Sequence, residues 1–561
     1  MISRRFRLAA FAAVLGAGSA LADSTPDYGL PPTQAAAAQS IDAERIRAHV
    51  RFLAHDLLEG RGTGTRGGDI AAQYIATQFA LLGLKPAGDD GSFMQKVRFI
   101  GSHTESGTTL SFVPNGGEAI PLKLFEDFVA GNQTPSERAD IDAPIIFVGY
   151  GIEAPEYQWD DYKGVDVKGK VALIIVNEPP SKDAKFFNGD ALTYYGRWIY
   201  KYEQAARKGA AGVLLIHRDD LASYPWQVVR SSWTNEQVTL ADDPRPKLKE
   251  AGWIQLEVAR LLFSVAGKGL DQMIDLAGTR DFKAFELPVR LQAHMESKVR
   301  RFESNNVVAM LPGVDKNAKQ AVLYSAHYDH LGIAPEVPGT AESDRIYNGA
   351  VDNATGCGVL LELAHAYATM KERPPHPVLF ASVTAEEKGL LGSKYLGEHP
   401  PLPTSHIALN LNYDSIAPLG TPEGVEVVGA ERLSFYSEVE KTAKTFKLTI
   451  EPDATPTAGH YYRSDHFSMA RVGVPAFSIG SGSKYAGHNR EWGLEQGKDY
   501  VSNRYHRPSD EYRPEMDFTA DADLARFGFA LGWHALTEKE AIAWLPGDEF
   551  EAARLKSEKQ P

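Results

Sequence analysis

Three continuous apolar runs each end on ionisable side chains. VLYSAH (322–327) closes on His327, with Asp329 and His330 directly behind it. VLFASV (378–383) leads through two residues into Glu386 and Glu387, and IALNLNY (407–413) is followed by Asp414. Predominantly apolar runs suit strands buried on both faces, and the helical stretches GVLLELAHAYATM and ADLARFGFALGWHALTEK supply the cover. The pattern predicts an α/β fold with a mostly parallel central sheet and helices on both faces. Ligands bind such sheets beyond the carboxyl ends of the strands, where these acids and histidines fall.

Two further groups extend the set: Asp352 in GAVDNATG, just ahead of a helix, and His506 in YHRPSDEY. Imidazoles with carboxylates and no thiolate suit zinc, cobalt or manganese. Two histidines, two aspartates and a glutamate are too many for one tetrahedral catalytic ion. They suit two ions about 3.5–4 Å apart that share a carboxylate and a water. Neighbouring side chains diverge on a strand or a helix, so adjacent glutamates serve one centre only where the backbone turns. One of the pair then binds metal while the other acts as general base. Asp329 is placed to accept the outer N–H of His327. The single cysteine, Cys357, excludes an intrachain disulfide and reads as a packing residue.

The rest of the chain bounds the setting. Residues 1–22 have a basic start, an apolar stretch and the small-residue pattern Ala20-Leu21-Ala22, which predicts a secretory signal cleaved after Ala22 and a periplasmic or extracellular protein. Loss of its three arginines would take the formal charge from −14 to −17, which disfavours nucleic acid and anionic membranes as partners. No internal run reaches the ~18 apolar residues of a membrane span. Residues 23–40 read as a mobile leader, and two helices flank the turn EGRGTGTRGG. Between about Gly101 and Leu291 short β-like runs and aromatic clusters replace the strand–helix rhythm, and 126–295 reads as an inserted second domain. The main domain is then assembled from 23–125 and 296–561.

The motifs HYDHLG, GAVDNATG, TAEEKGLLGS, LNYDS, YRSDHFSMARVGVPA and YHRPSDEY resemble, in order, those of family-28 metallopeptidases, the co-catalytic zinc aminopeptidases of clan MH. The resemblance implies the zinc exopeptidase fold and two zinc ions bridged by Asp352 and a water or hydroxide. It makes His327 and Asp414 the remaining ligands of one ion, and Glu387 and His506 those of the other. Glu386 becomes the general base, Asp329 orients His327, and the Asp352–Asn353 peptide bond is cis. FVGYGIEAPEYQWDDYKGVDVKGKVALIIVNEPP and AARKGAAGVLLIH in the insert are similar to a protease-associated domain. Tyr461, Tyr462, Arg463, Asp465 and His466 are candidates for the substrate pocket.

The function expected is removal of N-terminal residues from peptides by a secreted di-zinc aminopeptidase. Alternatives on the same fold are a carboxypeptidase, a dipeptidase or a glutaminyl cyclase. Another is a receptor-like binding protein without catalysis, against which the presence of all five ligands and Glu386 argues.

Overall fold

The fold is that of a computed structural model and is described for residues 27–183, 185–315, 320–334 and 344–559. The expected signal segment 1–22 lies outside the described residues. Four parallel strands form the middle of the main sheet, in the order Val378–Val383, Ala321–His327, Ile407–Tyr413 and Ala476–Ser481. The first three are buried at every position, as continuous apolar runs require. Antiparallel neighbours close both sides: the end of Phe285–Leu311 beside Val378–Val383, and Gly424–Val428 beside Ala476–Ser481. This is the α/β arrangement that the runs predict.

Helices Gly356–Thr369 and Thr519–Thr537 pack on the sheet and on each other, joined in that layer by Ala43–Leu53 and Arg66–Leu81. Helices Leu391–Glu398 and His466–Arg471 form a second layer. Gly528 and Gly532 let Thr519–Thr537 approach closely, because a Cβ at either would lie 1.6 or 1.8 Å from the hydroxyl of Tyr413 or Tyr324. The Tyr324 hydroxyl uses that proximity to donate to the Gly528 carbonyl at 3.0 Å.

The supposed leader is different from expectation over its second half. Pro32–Gln39 is a helix whose Ala35, Ala37 and Ala38 are buried against Thr519–Thr537 and Gly356–Thr369. Alanine is the best helix former and its small side chain permits close packing, while Pro32 supplies a preset first turn.

A second sheet contains Thr109–Pro114, Arg138–Phe147, Val171–Ile175, Gly212–Ile216, Glu250–Ile254 and Phe128–Gly131, with apolar clusters of its own. The 27-residue strand Phe285–Leu311 belongs to both sheets. Its first part pairs with Arg138–Phe147, and its second with Met94–Thr104 and then Val378–Val383. The domain boundary expected between 295 and 296 falls inside this strand. Among the described residues no helix is long and apolar enough to cross a membrane.

Candidate metal centre

The parallel strands Val378–Val383, Ala321–His327 and Ile407–Tyr413 end level with one another, His327 standing opposite Val383 and Ser325 opposite Asn412. Their carboxyl ends therefore deliver His327, Glu386, Glu387 and Asp414 to one edge. The chain turns before the glutamates at Ala385, whose φ is 55°, so the pair is released from strand alternation. Asp352 precedes the helix Gly356–Thr369, and its peptide bond to Asn353 is cis. His506 follows the helix Arg490–Asn503.

Donor atoms of His327, Asp352 and Asp414 converge within 4.8 Å of one another, and so do those of His330, Asp352 and Glu387. Asp352 belongs to both groups. Its Oδ1 lies 3.3 Å from His327 Nε2 and its Oδ2 3.3 Å from His506 Nε2. Asp414 Oδ1 is 3.4 Å from His327 Nε2, and Glu387 Oε2 is 3.0 Å from His506 Nε2. Glu386 stands beside the first group, its Oε2 3.9 Å from His327 Nε2, and among the described residues its carboxylate makes no hydrogen bond. Buried carboxylates need positive partners. No lysine or arginine among the described residues ion-pairs with Asp352, Glu386, Glu387 or Asp414. A largely buried acid cluster whose ion-pair partners among the described residues are all imidazoles is a donor set that fits divalent cations.

Asp329 is placed otherwise than expected. The acceptor nearest to His327 Nδ1 is the main-chain carbonyl of Asp329, at 3.1 Å, while its carboxylate is 3.9 Å away. That carboxylate instead accepts the Glu386 N–H at 3.1 Å and the Thr63 hydroxyl at 3.0 Å, fixing the turn that carries the glutamates. His327 Nδ1 is still committed to an acceptor, which leaves Nε2 facing Asp352 and Asp414.

Several contributors were not singled out as site residues from the sequence. His330, fully buried, contacts Glu387 Oε1 through Nδ1 at 2.5 Å, so one carboxylate lies between two imidazoles. Asp510 accepts the N–H groups of Val351 and Asp352 at 3.1 Å each and holds the turn ahead of the shared ligand. Ser464 donates to Asp414 Oδ2 at 2.6 Å. Asp510 lies in the same YHRPSDEY motif as His506, which was the available signal. Ser464 likewise lies in the motif YRSDHFSMARVGVPA, between Arg463 and Asp465. Cys357 is buried, its thiol directed at the His327 carbonyl at 3.1 Å, in keeping with a packing role.

The candidate substrate-pocket residues fare unevenly. The Tyr461 hydroxyl donates to the Ala476 carbonyl at 3.2 Å, and the Tyr462 hydroxyl to Glu549 at 2.6 Å, so neither is free to steady an oxyanion. His466 is buried against Tyr461, and burial lowers its imidazole to about 3, so it stays neutral. Arg463 reaches into the insert, donating to the Ala222 carbonyl at 3.0 Å and Ser223 Oγ at 2.6 Å. Asp465 feels the cluster most directly: burial raises its carboxyl to about 7, opposed by His327. The insert also approaches the centre through Ser232, whose hydroxyl lies 3.4 Å from His506 Nδ1.

Electrostatics agree with the geometry. Burial alone would push the His506 imidazole down, but Glu387 and Asp352 outweigh it and hold it at about 10. His327 is likewise held well above its usual value against burial, by Glu386, Asp414 and Asp352. Glu386 is pushed well above the carboxylate range by burial, with Glu387 and Asp414 adding to the effect. Side-chain exposures of 19% for Asp414 and 11% for both Glu386 and His506, against 5% or less for Asp352, Glu387 and His327, show which side of the cluster is open.

Fold and donor set together suit a metallopeptidase. Residues 306–526, which hold every candidate ligand, match the model of peptidase family M28. The leupeptin-inactivating enzyme 1 of Streptomyces exfoliatus is 27% identical over 251 residues, covering 44% of this chain and 51% of that one. A probable leucine aminopeptidase 2 of Aspergillus oryzae is 26% identical over 398 residues, 69% of this chain and 65% of that one. The chain thus spans about half the length of the first relative and just under two thirds of the second. The solved aminopeptidase from Aneurinibacillus sp. strain AM-1 superposes with a TM-score of 0.52 at 19% identity, covering 90% of this chain and 96% of that one, and so shares the fold.

Proposed function

We propose that this protein is a di-zinc aminopeptidase that removes N-terminal residues from peptides. The observation that carries the reading is Asp352, which turns one oxygen to His327 and the other to His506. His327, Asp352 and Asp414 would hold one ion, and Asp352, Glu387 and His506 the other. His506 is preferred to His330 as the second imidazole because its Nε2 faces both Asp352 and Glu387, whereas His330 bonds only the far oxygen of Glu387. His330 then serves to orient Glu387. Ions bound there polarise a scissile carbonyl and acidify water.

Glu386, unbonded and on the open side, takes the proton from the attacking water and delivers it to the departing amine. Its turn is held by Asp329, so the carboxylate stays aimed at the reacting centre. Glu386 and Asp414 give the entrance a negative border, a setting that suits the ammonium of a peptide N-terminus. The insert, read as a protease-associated domain, reaches the centre through Ser232 and limits access to chain ends. Export after Ala22 belongs to the same reading.

The test is hydrolysis of amino-acyl p-nitroanilides with zinc quantified on the same sample. Two zinc ions per chain and activity abolished by N-acetylation of the substrate are expected. Equal cleavage of N-acetylated substrates, or activity that survives exhaustive chelation, would refute it.

A further inference from the structure

Among the described residues the buried guanidinium of Arg61 makes no ion pair with a carboxylate. Nε donates to the Tyr328 carbonyl at 2.7 Å, and Nη1 to the carbonyls of Leu53 at 2.5 Å and Asn348 at 2.6 Å. Nη2 donates to the Gly349 carbonyl at 2.8 Å. Tyr328 lies between His327 and Asp329, and Asn348 and Gly349 lead into the turn that carries Asp352. One planar fork therefore ties together the two loops that bring ligands from separate parts of the chain.

The same turn continues the brace. The Arg61 carbonyl accepts the His330 N–H at 3.2 Å, and the Thr63 hydroxyl donates to Asp329 at 3.0 Å. Its backbone is shaped for the purpose: Glu59, Gly60 and Arg61 have φ of 52°, 65° and 49°, and a Cβ on Gly60 would lie 2.5 Å from the Gly332 carbonyl oxygen. Three consecutive left-handed residues persist only where the surroundings enforce them. Burying a cation on neutral carbonyls carries a desolvation cost that an apolar residue of similar volume would avoid. Core packing alone therefore does not explain an arginine here. Lysine, with one nitrogen, cannot span the same acceptors.

We propose that Arg61 is a positioning residue of the metal centre, supplied from far outside residues 306–526, which fixes the His327 and Asp352 loops relative to one another. The proposal rests on the metallopeptidase reading of the site.

The test compares wild type, Arg61→Ala and Arg61→Lys by zinc titration against a competing chelator, with a cooperative thermal transition as the criterion of folding. Folded variants are expected to bind zinc about 10–100-fold more weakly, the usual penalty for losing a group that orients ligands. Added guanidinium should restore affinity to Arg61→Ala. Wild-type affinity in either folded variant, no response of Arg61→Ala to guanidinium, or failure of both variants to fold would overturn the proposal; the last would make Arg61 a residue of the fold alone. A wild-type chain that takes up no zinc would instead sink the metallopeptidase reading.

Discussion

Replacing Glu386 by Gln keeps the side chain's shape and removes its ability to accept a proton. The carboxylate makes no hydrogen bond among the described residues, and His327 Nε2 lies 3.9 Å from it. The bond from the Glu386 N–H to Asp329 belongs to the main chain and survives. Fold and zinc content should therefore stay intact. Loss of a general base lowers turnover by about 10²–10⁴, or about 2.7–5.4 kcal/mol at 1.36 kcal/mol per decade. Stability should move the other way in chelator-treated protein. Burial, then Glu387 and Asp414, raise the Glu386 carboxyl against the pull of His327. A raised acid favours the fold below its unfolded value and loses that contribution as pH rises through its folded value. At neutral pH the zinc-free Gln variant should then melt at or above the wild-type temperature. The assay is kcat on an amino-acyl p-nitroanilide, with zinc per chain measured by atomic emission. A variant with full zinc and kcat within threefold of wild type would refute the assignment of the base.

Zinc uptake should strengthen as pH rises from 6 to 8, because His506 at about 10 and the raised His327 must release protons to become ligands; calorimetry in buffers of differing ionisation enthalpy measures that release. Asp352→Asn should lose both ions' shared carboxylate and lower zinc content at a fixed free-zinc concentration, and an unchanged stoichiometry of two would contradict the shared-ligand geometry. Asp510→Asn should weaken zinc affinity about 10–100-fold through the Asp352 turn, read by chelator competition. Tyr461→Phe and Tyr462→Phe should leave kcat within about twofold of wild type, since both hydroxyls are already engaged away from the cluster; a loss of the size expected for an oxyanion donor, about 10²–10³, would restore them to the pocket.

What the sequence made legible follows from what it encodes locally. His327, Glu386, Glu387 and Asp414 stood out because each follows a run buried on both faces, and two-sided burial leaves its mark on every residue of a strand. The supports were harder to see. Arg61 bonds backbone carbonyls, which every residue carries, so no sequence pattern announces its acceptors; only the glycine-rich turn around it hinted at unusual backbone. Ser464 and Thr63 act on acids far away in the chain. Tyr461 and Tyr462 misled because their motif neighbours Asp465, while their hydroxyls turn to Ala476 and to Glu549 near the chain's end. The helix Pro32–Gln39 was missed because alanine is common both in mobile leaders and in tightly packed helices.

The strand Phe285–Leu311 works as a shared spine. Along it segment 126–295 joins the peptidase sheet by a ladder continuous from Arg290 to Val307, and Gln237–Leu240 adds a second ladder to Met94–Thr104, so main-chain bonds of two strands hold the segment in place beside His506. Excising 126–295 as a cassette would cut through this spine. A workable shortened protein would keep 297–311 together with Met94–Thr104, its partner across the seam.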